Sequence, residues 1–110
     1  IEGLVDKNKC VGVKYLDPAQ VANETAAFLK NKKKCDVVVC ISHLGWSIDG
    51  ADDNYTIANC RNVDIVLGGH SHTYLKELGY VRDLDGKLVP VDHNGKHAIF
   101  VGDITLSLSR

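Results

Sequence analysis

The chain has 110 residues, 45% of them hydrophobic and 25% charged, with a formal net charge of −1. That is room for one water-soluble globular domain at most. The near-neutral charge excludes a nucleic-acid surface or a polybasic membrane patch as the basis of function, and no apolar run approaches the roughly 20 residues a membrane-crossing helix needs.

Methionine is absent, position 1 included, and the chain opens on Ile1-Glu2-Gly3-Leu4. The expectation is a piece of a longer protein, with residues 1–110 forming part of one domain. Residues 10–13 read as a short strand. Asp17-Pro18 reads as a helix start, Asp17 as N-cap and Pro18 at the first helical position. Val21, Ala22, Thr25, Phe28 and Leu29 then share a face at helical spacing, and the four lysines between Lys30 and Lys34 read as the solvated end of that helix. Residues 35–41 are a continuous apolar run, as expected of a strand covered on both faces. Residues 47–54 are polar and read as a loop over a site. Residues 53–61 suit a short helix capped by Asp52 or Asp53, and residues 63–67 are a second buried strand.

After Thr73 the pattern becomes β-rich. Residues 75–82 and 87–92 flank Asp85-Gly86, a strong hairpin signal. Asn94-Gly95 is a second hairpin signal, leading into residues 96–101 and then 104–108, with His93 and His97 on the surface of that hairpin. The fold class is α/β: parallel strands with helices, followed by an antiparallel hairpin tail. Cys10, Cys35, Cys40 and Cys60 lack C-x-x-C spacing and read as small buried hydrophobes. Trp46 reads as a packing residue.

Chemistry concentrates where the two buried strands end. The first runs into Ser42-His43-Leu44-Gly45, the second into Gly68-Gly69-His70-Ser71-His72-Thr73. Histidine is the commonest metal ligand among side chains, glycine lets the backbone turn sharply and approach a ligand closely, and open α/β sheets bind ligands at the carboxyl ends of their strands. His43, His70 and His72 are therefore the candidate metal ligands. The acidic group Asp49, Asp52 and Asp53 lacks the D-x-D-x-D-G spacing of a calcium loop and reads as turn and cap residues. A metallo-β-lactamase site would want Asp-His after His-x-His, where this chain has Thr73-Tyr74.

Asp36-Val37-Val38-Val39-Cys40-Ile41 leading into Ser42-His43-Leu44-Gly45, and Asp64-Ile65-Val66-Leu67 leading into Gly68-Gly69-His70-Ser71-His72-Thr73, resemble the carboxyl half of the calcineurin-like metallophosphoesterase domain. Within that superfamily the chain looks most like bacterial 5′-nucleotidases, from about residue 10 onward. The resemblance implies half of a metallophosphoesterase α/β sandwich and two divalent ions in the full domain, drawn from Zn, Mn, Mg or Fe. It implies that His43 and His70 bind one ion and His72 the other, a position where several nucleotidases carry Gln or Asn. It further implies hydrolysis of a phosphate ester, nucleoside monophosphates above all, and a periplasmic or cell-surface location.

The family's Asp-x-His, Gly-Asp-x-x-Asp and Gly-Asn-His-Glu/Asp motifs do not occur in the sequence, and the resemblance puts them, with the catalytic residues, upstream of Ile1. The fragment alone is then expected to bind metal weakly and turn over little. An uncovered sheet edge would favour a homodimer or a swapped oligomer. The alternative function is a noncatalytic, oligomerising fold fragment with idle histidines.

Overall fold

The computed structural model describes residues 6–48 and 50–109; Ile1-Glu2-Gly3-Leu4 and Asp49 lie outside the described residues. Residues 10–13 form no strand. A 3-10 turn over Lys7–Cys10 stands at this end instead, capped by the Asp6 carboxylate, which accepts from the Asn8 N–H at 2.9 Å.

Helix α1 (Pro18–Asn31) starts as expected, with the Asp17 side chain accepting from the Ala19 N–H at 3.1 Å. Its buried stripe differs from the expected one. Ala19 and Ala26 are buried, with Ala22 and Leu29 half-buried between and beyond them, whereas Val21, Thr25 and Phe28 are exposed. The 3-4-3 spacing of residues 19, 22, 26 and 29 is a helical face in its own right. Alanine brings the helix backbone close to the core, and that leaves the bulkier Val21 and Phe28 outside the contact.

The sheet runs β1-β2-β4-β3. Strands β1 (Val39–Ile41) and β2 (Ile65–Leu67) are parallel and are joined through helix α2 (Asp53–Ala58). Strand β4 (Leu88–Asp92) is parallel to β2 and antiparallel to β3 (Gly79–Arg82). The Asp85-Gly86 hairpin forms as expected: the Asp83 carboxylate accepts from the Asp85 and Lys87 N–H groups at 2.9 and 3.0 Å, and Gly86 takes φ +76°. The tail is not a free meander, because β4 inserts between β2 and β3. Nor does the second hairpin form, since the described residues after Asn94 contain no strand. Asn94 instead bridges to Tyr74, and the Gly95 N–H donates to the Thr73 carbonyl at 2.8 Å. The turn signal is thus spent on closing residues 73–95, and left-handed His97 and Ala98 redirect the chain beyond it.

The core lies between the helices and one sheet face: Ala26, Val38, Ile57, Cys60, Val63, Val66, Val89 and Val91, with Leu29, Cys35, Cys40, Trp46 and Val81 packed against it. Cys60 is buried, and its thiol is pushed up to about 11 by burial first and then by Cys40 and Asp83, against the opposing pull of Lys87. It packs as a small apolar group, and all four cysteines are free. The other sheet face is crossed by residues 102–106, which leave a cavity of about 480 Å³ beside Ile65, Leu67 and Asp92. β1 is the sheet edge, and Ile41 is 85% exposed. The expectation of a strand covered on both faces therefore fails for β1.

Asp64 ties the first layer together at the start of β2. Its carboxylate accepts from the Val38 N–H at 2.8 Å and pairs with Lys30 at 2.8 Å and Lys87 at 3.1 Å. Burial would raise this carboxyl, but the two ammonium groups and the Val38 N–H outweigh it and hold the group below its usual range. A folded pKa below the unfolded one gives stability that is full above about pH 4 and lost as pH falls through the folded value. Urea midpoints should therefore drop as pH falls below about 4 and through the folded value. Asp64→Asn should flatten that drop and lower stability at neutral pH by about 1–2 kcal/mol. A pH profile unchanged in the variant would show that another carboxylate carries it.

Candidate functional site

Parallel pairing of β1 with β2 brings their carboxyl ends side by side, and the Ser42 N–H donates to the Leu67 carbonyl at 2.8 Å just past the last strand residues. The next residues on the two chains are the histidine turns. His43 and His70 meet edge to face, with ring centres 5.2 Å apart and planes at 63°. At metal–nitrogen bonds of about 2.0–2.1 Å, two imidazoles on one tetrahedral ion place their ring centres about 5 Å apart. The observed separation is that of two such ligands and equally that of an ordinary edge-to-face ring contact. Among the described residues, no group of three or more His, Cys, Asp or Glu side chains stands ready to hold a metal, and exposed His72 joins no such group.

The glycines act differently from the sequence reading. Neither Gly68 nor Gly69 has a positive φ; the left-handed residues are His70 (φ 84°) and His72 (φ 57°). A non-glycine residue held there costs about 1–3 kcal/mol and persists only where its surroundings over-determine it. Ser71 is part of what holds it. Its hydroxyl accepts from the Trp46 N–H at 3.0 Å and lies 2.7 Å from the Thr73 hydroxyl, tying one histidine turn to the other. The glycines supply space instead. A Cβ on Gly69 would come within 3.2 Å of His43 Nδ1, and one on Gly68 would run into His93 and Asp53.

Those two residues are what the sequence reading missed. His93, expected on the surface of a hairpin, is 1% exposed, as is Asp53, and His93 Nε2 stands 2.7 Å from Asp53 Oδ2. The other Asp53 oxygen accepts from the Ser42 hydroxyl. Asp53 therefore does more than open α2. The cap itself is Asp52, as expected, accepting from the Tyr55 N–H at 2.8 Å. A signal for His93 was available: Val89 and Val91 are buried, and strand period two puts residue 93 on the same face. Trp46 packs as expected, with its ring edge against Gly79 and its ring centre 6.1 Å from that of His93.

Among curated proteins the chain is similar to Protein 5NUC of Lutzomyia longipalpis, 30% identical over 80 residues, which cover 73% of this chain and 13% of that protein. It is also similar to Apyrase of Tabanus yao, 28% identical over an alignment that covers 86% of this chain and 19% of that protein. The chain thus spans less than a fifth of the length of either relative. No family model matches it. No solved structure matches it either.

Proposed function

We propose that this chain, which is related to metallophosphoesterase-type enzymes of the 5′-nucleotidase and apyrase kind, contributes histidine ligands to the divalent-metal site of a hydrolase acting on nucleotides, nucleoside monophosphates first. One observation carries the reading: adjacent parallel strands deliver His43 and His70 with their rings 5.2 Å apart. A divalent ion held there (Zn, Mn, Mg or Fe) would polarise a phosphoryl oxygen and lower the pKa of a water. His43 and His70 would each offer it one ring nitrogen, the two turns that carry them being tied together by the Ser71–Trp46 bond. His72 would serve a second ion. The remaining donors would come from outside the described residues. A periplasmic or cell-surface location goes with this reading.

A noncatalytic, oligomerising role is the second reading, favoured by the bare β1 edge with Ile41 85% exposed. One experiment separates the two: Mn²⁺ or Zn²⁺ bound per purified chain, with molecular mass recorded on the same sample. The metal reading expects binding that weakens by at least roughly 10–100-fold in His70→Ala. Metal binding indifferent to His70→Ala, or none at all beside a stable dimer, would favour the structural role.

A further inference from the structure

A connected set of side chains beneath the two histidine turns has no part in the function proposed above. Asp53 and His93 are each 1% exposed and bonded to one another. The second Asp53 oxygen accepts a hydrogen bond from the Ser42 hydroxyl. The Ser42 oxygen also lies 3.2 Å from the Leu44 N–H, which donates to it. Ser42 and Leu44 are the two chain neighbours of His43, so this hydroxyl closes a small turn with His43 at its apex. The Asp53 N–H donates to the Gly45 carbonyl at 3.0 Å, clamping the far end of the same turn onto α2. On the other strand the pair sits directly under Gly68, two residues before His70 and too close for any side chain. Burying a carboxylate is expensive unless it is fully hydrogen-bonded. This one spends its bonds on the one residue 40 positions downstream that reaches it and on the residue beside His43.

We infer that Asp53 and His93 are positioning residues for the histidine site: through the Ser42 hydroxyl and the Gly68 contact they set the relative placement of His43 and His70. The inference rests on the metal reading above for its consequence, but not for its geometry. Groups bonded directly to a metal ligand are worth about 10–100-fold in metal affinity when removed, and a pair acting through Ser42 and Gly68 is expected to reach that range only by moving the two histidines apart. A merely structural pair would change stability and leave the ring geometry of the folded molecules alone.

The test uses the purified chain and three variants: Ser42→Ala, which leaves the buried pair intact, Asp53→Asn, and His93→Gln. Two readouts are taken. One is the nuclear Overhauser contact between the His43 and His70 ring protons without metal; the other is Zn²⁺ affinity by titration. Unfolding midpoints are recorded alongside. The expected result is loss of the ring contact in Ser42→Ala and Asp53→Asn, with Zn²⁺ binding weakened roughly 10–100-fold in samples that remain folded. Retention of the ring contact in folded Ser42→Ala would overturn the inference even if Asp53→Asn fails to fold. A wild-type chain that shows the ring contact, loses it in Ser42→Ala and binds no Zn²⁺ would uphold the positioning role and show instead that this chain alone does not hold the ion.

Discussion

Replacing His93 with alanine is expected to cost the fold about 3–5 kcal/mol, the loss seen when one partner of a buried ionisable pair is removed. The Asp53 carboxylate would keep the Ser42 hydroxyl but lose its other partner at 1% exposure, where water cannot replace it. Truncation also empties the volume of an imidazole that touches the Trp46 layer. Native domains are stable by only about 5–15 kcal/mol, so this is a large fraction of the total. Urea unfolding of wild type, His93→Ala, Asp53→Ala and the double variant measures it. Because the residues are bonded to one another, the double variant should lose far less than the sum of the singles. Additive losses would mean that the pair does not act as a unit.

Gly68→Ala should be the most damaging single methyl group that can be added to the chain at the histidine turns, about 3 kcal/mol or more, at the upper end of overpacking costs. The new Cβ would overlap both the His93 ring and the Asp53 carboxylate. Neither can step aside without breaking their bond or the Ser42 bond. The backbone is equally held, since the Gly68 N–H donates to the Asp92 carbonyl at 2.9 Å. Gly69→Ala is the control. Its Cβ would press on the exposed His43 ring, at 3.2 Å, which can yield, and would meet the Ser42 carbonyl at an ordinary 3.8 Å. The expectation is a large drop in urea midpoint for Gly68→Ala and a small one for Gly69→Ala. Equal midpoints for the two variants would show that the layer under Gly68 is looser than its contacts indicate.

The two substitutions act on one layer, which explains why His43 and His70 can be exposed or half-exposed and still be placed. Their backbones rest on a buried polar cluster instead of an apolar one. Polar clusters are directional: each hydrogen bond fixes an angle as well as a distance. The left-handed conformations of His70 and His72 need such a base, because a loose turn would relax to an ordinary φ.

Much of this molecule was readable along the chain, and the readable parts share a cause. The Asp17-Pro18 helix start, the Asp52 cap and the Asp85-Gly86 hairpin are set by groups within a few residues of one another. So is the arrival of His43 and His70 at strand ends. Short-range stereochemistry and polar satisfaction decide such features, and residue type alone reports them. Tertiary structure decided what depends on partners far away in sequence. It put β4 between β2 and β3, turned α1 onto its alanine face, used Asn94-Gly95 to bridge back to Tyr74, and buried His93 against Asp53. Each is a choice among several locally acceptable conformations, settled by which apolar area and which hydrogen-bond partners packing brings together. A sequence pattern has no term for a partner 40 residues away.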